Sequence, residues 1–110
     1  MKKTVLLIDD EKDFGLLLKG FFARKQYDVC VSYTIEEGMK ALEELKPDFI
    51  FLDNNLPDGL GWGKIDFIVQ NYPKSQLNLI SAYHVPKTTT QRFRILEKPI
   101  SINDLDRLFK

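Results

Sequence analysis

Four short apolar runs, at residues 5–8, 29–31, 49–52 and 77–80 (the last broken by Asn78), do most to limit what this chain can fold into. A fifth and weaker run covers residues 93–96. Each is bounded by polar or turn residues, and none shows the strict alternation of a half-solvated strand. Runs of this kind suit strands buried on both faces of a parallel sheet.

The segments between them carry helical spacing. Phe14, Leu17, Leu18, Phe21 and Phe22 recur at three and four, which predicts one apolar helix face across residues 12–25. Thr34, with Glu37 three residues on, reads as the start of a second helix whose face is Ile35, Met39, Leu42 and Leu45, closed by Pro47. Trp62, Ile65, Ile68, Val69 and Tyr72 mark a third, closed by Pro73. Ser101 and Asp104 form a capping-box-like pair before Leu105, Leu108 and Phe109. Strand and helix alternate without a low-complexity linker or an internal repeat. That alternation predicts an open α/β sheet with helices on both sides, in one domain spanning residues 1–110.

Composition narrows the function classes. Lys plus Arg equals Asp plus Glu at 16 each, so net charge gives no sign of a nucleic-acid surface. The lone cysteine, Cys30, cannot form an internal disulfide, lies in an apolar stretch and reads as a small core residue. No apolar run is long enough for a signal peptide or a membrane span, so a cytoplasmic protein with no membrane partner is expected.

In open α/β sheets, ligands bind beyond the carboxyl ends of the strands. The first strand ends in Asp9 and Asp10, the third in Asp53, the fourth in Ser81, and the fifth in Lys98 and Pro99. Carboxylates gathered on one rim repel: two unit charges about 5 Å apart cost roughly 3 kcal/mol at an effective dielectric near 20. A hard divalent cation such as Mg²⁺ relieves that repulsion, binding one or two carboxylates and filling its octahedron with water and phosphate oxygens. A lysine and a hydroxyl on the same rim add a cation and a donor for phosphoryl oxygens. The set points to metal-assisted phosphoryl transfer onto a carboxylate. Taken singly, each feature has a plainer account, and Asp10 or Asp13 could simply cap the first helix.

The run from Val5 to Glu11, with its Asp9-Asp10-Glu11 ending, resembles the opening of response-regulator receiver domains. Asp53-Asn54-Asn55-Leu56-Pro57-Asp58-Gly59-Leu60-Gly61 resembles their phosphorylation loop, with Pro57 four and Gly61 eight residues after the aspartate. Ser81-Ala82 and Lys98-Pro99 are similar to two further motifs of that family, and the match covers essentially the whole chain. The resemblance implies a doubly wound, five-stranded parallel sheet of flavodoxin-like order 2-1-3-4-5. It implies that Asp53 accepts a phosphoryl group from a sensor histidine kinase or phosphotransfer protein. Asp10, Asp53 and the Asn55 carbonyl would hold Mg²⁺ or Mn²⁺, with Asp9 acting through a water. Lys98, the Ser81 hydroxyl and the Asn54 and Ala82 N–H groups would hold phosphoryl oxygens. The Lys98–Pro99 bond would be cis, and Asn55 and Tyr83 would tune acyl-phosphate lifetime. A C-terminal effector domain, a downstream protein or a homodimer would read the switch, and this domain would not bind nucleic acid itself.

Two departures from that family stand out. Only 16 residues separate Ser81 from Lys98, and 84–92 carry a proline, three threonines and no apolar face, so the fourth helix is expected to be shortened or missing. Ile95 stands three residues before the lysine, where the family carries an aromatic switch residue, while Phe93 shares its strand face. A phosphorylation-independent interaction module of the same fold is the competing reading. A nucleotide-binding loop at residues 58–65 fails, because Asp58 and Ile65 replace its first glycine and its magnesium-binding hydroxyl; a flexible turn leading into the third helix is expected instead. A dehalogenase-like phosphatase would need an aspartate where Asn55 stands, and no nucleophile elbow surrounds Ser81.

Overall fold

A computed structural model describes residues 2–81 and 93–109, apart from the side chain of Ser81. The apolar runs form β1 (Thr4–Ile8), β2 (Asp28–Ser32), β3 (Phe49–Asp53), β6 (Gln76–Ser81) and β7 (Phe93–Glu97). A small antiparallel pair, β4 (Asn55–Leu56) and β5 (Gly59–Leu60), stands apart from them. The five long strands make one parallel sheet in the order β2-β1-β3-β6-β7. With the small pair set aside, that is the order 2-1-3-4-5 implied by the sequence resemblance.

The helices among the described residues are α1 (Lys12–Ala23), α2 (Ile35–Leu45), α3 (Ile65–Asn71) and α4 (Ile102–Leu108). The expected shortening of the fourth-helix region falls on residues 84–92, outside the described residues. Local chemistry sets the helix ends. Gln26 takes a left-handed φ of 63°, Tyr27 N–H donates to the Phe22 carbonyl and Gln26 N–H to that of Ala23. This Schellman closure satisfies the last carbonyls of α1. Thr34 caps α2 by accepting from Glu37 N–H at 3.0 Å, while Glu37 reaches back to Tyr33 N–H, one residue earlier than a standard capping box. Lys46, at φ 46°, turns the chain out of α2 just before Pro47. At α4 the Ser101–Asp104 capping box is complete, with Asp104 in place of the usual longer acid.

Each strand contributes to two cores because its side chains alternate. Val5 and Leu7 face a cluster with Phe14, Leu18, Phe22, Leu105 and Phe109, which is the α1/α4 side. Leu6 and Ile8 face Leu42, Ile65, Ile68 and Leu77, the α2/α3 side. Phe22 is fully buried and touches the rings of Phe21, Tyr27, Phe49, Phe51 and Phe109 at centroid distances of 5.0–6.3 Å. Phe93, partly buried, packs on the α2/α3 core. Buried polar side chains interrupt this pattern in places, Asn78 among them. Asn78 is fully buried in β6 and donates to the Ile50 and Gln76 carbonyls.

The effect of this layering is positional. Four parallel neighbours, β1, β3, β6 and β7, present their carboxyl ends along one rim, and the residues that follow each strand meet there.

Candidate functional site

Asp9 and Asp10 follow β1, and Asp53 closes the neighbouring β3, the central strand of the sheet. One carboxylate oxygen from each of the three lies within 4.8 Å of the others. Asp9 is fully buried, Asp53 is 7% exposed and Asp10 is open to solvent. The plainer account of Asp10 or Asp13 as the cap of the first helix does not hold. The residue at the N-cap of α1 is Glu11, without a side-chain capping bond, and Asp9 Oδ1 accepts from Glu11 N–H at 2.9 Å.

Burial and crowding shape the electrostatics. Loss of water, followed by the charge of Asp9, pushes the Asp53 carboxyl from its ordinary 3.8 up to about 6, against the opposing pull of Lys98. Burial likewise raises Asp9, partly offset by the Glu11 N–H and by Lys98. Lys98 follows β7 and reaches back across the rim. Its Nζ lies 3.1 Å from Glu11 Oε1, 3.3 Å from Asp9 Oδ2 and 3.9 Å from Asp53 Oδ1. Burial pulls the Lys98 ammonium down, but the carboxylates of Asp9 and Asp53 and the hydrogen bond it donates to Glu11 outweigh it and hold Lys98 above the usual lysine range. The Lys98–Pro99 peptide bond is cis.

The donor set fits a hard divalent cation. All three groups offer anionic oxygen, two of them are desolvated, and one ammonium cannot neutralise them together with Glu11. Asp9 Oδ2 is buried, and its partner among the described residues is the Lys98 ammonium at 3.3 Å. A buried carboxylate oxygen that shares one ammonium with two further acids leaves negative charge for another cation to neutralise.

The loop after Asp53 is ordered by contacts that the sequence reading missed. The expected flexible turn at residues 59–64 is instead strand β5 followed by a 3₁₀ turn, Gly61–Lys64. Asn54 anchors it: its carbonyl accepts from Gly61 N–H at 2.8 Å and its side-chain oxygen from Trp62 N–H at 3.1 Å. A Cβ at Gly61 would fall 2.1 Å from the Asp53 carbonyl oxygen, so only glycine admits this close return. Asp58, at the hairpin tip, accepts from Ile35 N–H at 2.8 Å and Glu36 N–H at 3.0 Å, tying the loop to the start of α2. Those two N–H groups hold the Asp58 carboxyl below the usual range.

Of the residues singled out from sequence, Asp9, Asp10, Asp53 and Lys98 converge. Asn54 is turned to the hairpin, and Asn55 opens β4 with its side chain exposed. Ser81 ends β6 opposite Glu97, while its side chain, Ala82 and Tyr83 lie outside the described residues. Ile95 pairs with Leu79 and lines a shallow groove with Leu96, Ile100, Arg107 and Leu108. Glu11 and Asp58 were not singled out from sequence. The acid directly after Asp9-Asp10 was the one available signal for the first, and Asp58 carried none.

Comparison with known proteins gives a consistent result. A family model described as the response regulator receiver domain matches residues 5–110. Response regulator protein PilR of Pseudomonas aeruginosa is 29% identical over 97% of this chain, which spans only 25% of that relative's length. Chemotaxis protein CheY of Thermotoga maritima is 30% identical over 74% of the chain and 69% of its own. The crystal structure of a two-component response regulator from Clostridium difficile superposes with a TM-score of 0.81 at 26% identity, covering 97% of this chain and 92% of that one. No helix among the described residues is long and apolar enough to cross a membrane.

Proposed function

The chain belongs to the response regulator receiver family, and from that premise we propose that Asp53 accepts a phosphoryl group from a phosphohistidine in a magnesium-dependent step. The observation that carries this reading is the meeting of three carboxylates and one lysine at the rim formed by β1, β3 and β7. Asp53 Oδ attacks the phosphorus; the P–O bond forms as the P–N bond to the donor imidazole breaks, and that imidazole leaves with the bonding pair and takes up a proton. The ionised form of Asp53 is the nucleophile, and it predominates above a pKa of about 6.

Mg²⁺ or Mn²⁺, held by Asp10, Asp53 and the Asn55 carbonyl with Asp9 through a water, would neutralise the crowded oxygens and the charge that develops on the phosphoryl group. Lys98 supplies a second positive charge. Its ammonium, 3.9 Å from Asp53, pairs with a phosphoryl oxygen once one is present. The Ser81 hydroxyl and the N–H groups of Asn54 and Ala82 complete the oxygen contacts, and Asn55 with Tyr83 sets how fast water reaches the acyl phosphate. The donor is a sensor histidine kinase or phosphotransfer protein. The output is a further domain, a downstream protein or a second copy of the chain in the cytoplasm.

The test is intact mass after incubation with Mg²⁺ and acetyl phosphate or phosphoramidate, with rapid quenching. One added phosphoryl group, lost on Asp53→Asn and in EDTA, is the expected result. No addition to the wild-type chain from either donor overturns the proposal.

A further inference from the structure

We propose that Glu11 is a positioning residue that engages Lys98 in the unphosphorylated protein and thereby weakens the site for small anionic phosphoryl donors. This role rests on the phosphoryl-transfer reading above. The nearest carboxylate to Lys98 Nζ is neither of the two buried aspartates but Glu11, at 3.1 Å against 3.3 Å for Asp9 and 3.9 Å for Asp53. Lys98 has three donor hydrogens, so a phosphoryl oxygen arriving at Asp53 must compete for them with a carboxylate that takes no part in the transfer.

The placement of Glu11 is set by the backbone. It occupies the N-cap of α1 in an extended conformation, with φ −82° and ψ 112°, and its side chain makes no capping bond. Its N–H donates to Asp9 Oδ1 at 2.9 Å, which fixes the residue beside the acid pair. The carboxylate is therefore released from helix capping and reaches across to Lys98. Its side chain is 57% exposed, against 16% for Lys98, so the pair is screened by solvent and breaks easily. Glu11 also lines a groove with Asp13, Phe14, Leu17, Lys98 and Pro99. A negative charge there opposes the approach of an anionic donor.

Initial rates of phosphoryl uptake from acetyl phosphate, at saturating Mg²⁺ and low ionic strength, test the assignment across a range of donor concentrations. Glu11→Gln keeps the backbone bond to Asp9 and the side-chain size while removing the charge. The half-saturating donor concentration should fall about three-fold, the scale of a half-exposed ion pair, with little change in limiting rate. The difference should shrink in about 0.5 M salt, where screening is strong. Asp13→Asn removes a charge from the same groove, yet among the described residues Asp13 makes no ion pair with Lys98; its effect should be clearly smaller. An unchanged half-saturation in Glu11→Gln, or an equal shift in Asp13→Asn, overturns the role of Glu11 alone. Absence of uptake in every variant, wild type included, overturns the underlying phosphoryl-transfer reading and this role with it.

Discussion

Replacing Asp53 by asparagine should make the metal-free protein more stable at neutral pH, because the native fold holds this carboxylate where its charge is unwelcome. Asp53 is 7% exposed, shares its surroundings with Asp9, and has its carboxyl raised from 3.8 to about 6. A rise of that size corresponds to about 3 kcal/mol of preference for the protonated form. The sign follows from proton binding. Between the unfolded value of 3.8 and the folded value of about 6, the native state binds more protons, so stability falls as pH rises through that window. Below it the protonated carboxyl costs nothing extra, and above it the full cost is present. Asparagine never ionises. In EDTA the variant should therefore exceed the wild type by about 2–3 kcal/mol near pH 8, equivalent to roughly 10 °C in Tm. Near pH 4 the gap should close. Urea unfolding followed by the single tryptophan, Trp62, gives both values. Equal stability at pH 8, or a gap that stays constant from pH 4 to 8, would refute the claim that burial and the Asp9 charge strain the ionised form.

Other perturbations separate the remaining parts of the account. Asp10→Asn in EDTA should stabilise in the same direction but by less, since Asp10 is exposed and the weakest of the carboxylate influences on Asp53; a larger gain than that of Asp53→Asn would contradict the burial argument. Added Mg²⁺ at about one hundred times its dissociation constant should raise wild-type stability by about 2.7 kcal/mol, and a titration of Asp53→Asn should need far more metal for the same effect. Gly61→Ala should cost about 1–3 kcal/mol in urea unfolding and weaken Mg²⁺ binding, because its Cβ would displace the Asp53 carbonyl. Phe22→Ala removes the ring that joins α1 to β3 and to the segment after α4, and should cost about 3–5 kcal/mol with Mg²⁺ affinity per folded molecule unchanged.

Much of the molecule was written in local pattern. The apolar runs became the five strands of one sheet, the Thr34 and Ser101 caps start helices, and Asp9, Asp10, Asp53 and Lys98 meet at one rim as their positions after strands required. Periodicity and capping act over a few residues, and a parallel sheet carries all its strand ends to the same side, so these features can be read without knowing the fold in detail. Contacts between distant loops cannot. That Glu11, and not Asp53, lies nearest Lys98 depends on how the turn into α1 aims one exposed side chain. That the segment after Asp53 is a pinned hairpin depends on N–H groups at the start of α2 meeting Asp58, and on a glycine passing against the end of β3. In those cases the residue types alone allow many partners. The choice among them is made by the backbone path, through which groups it brings within hydrogen-bond reach and how much water it leaves around them.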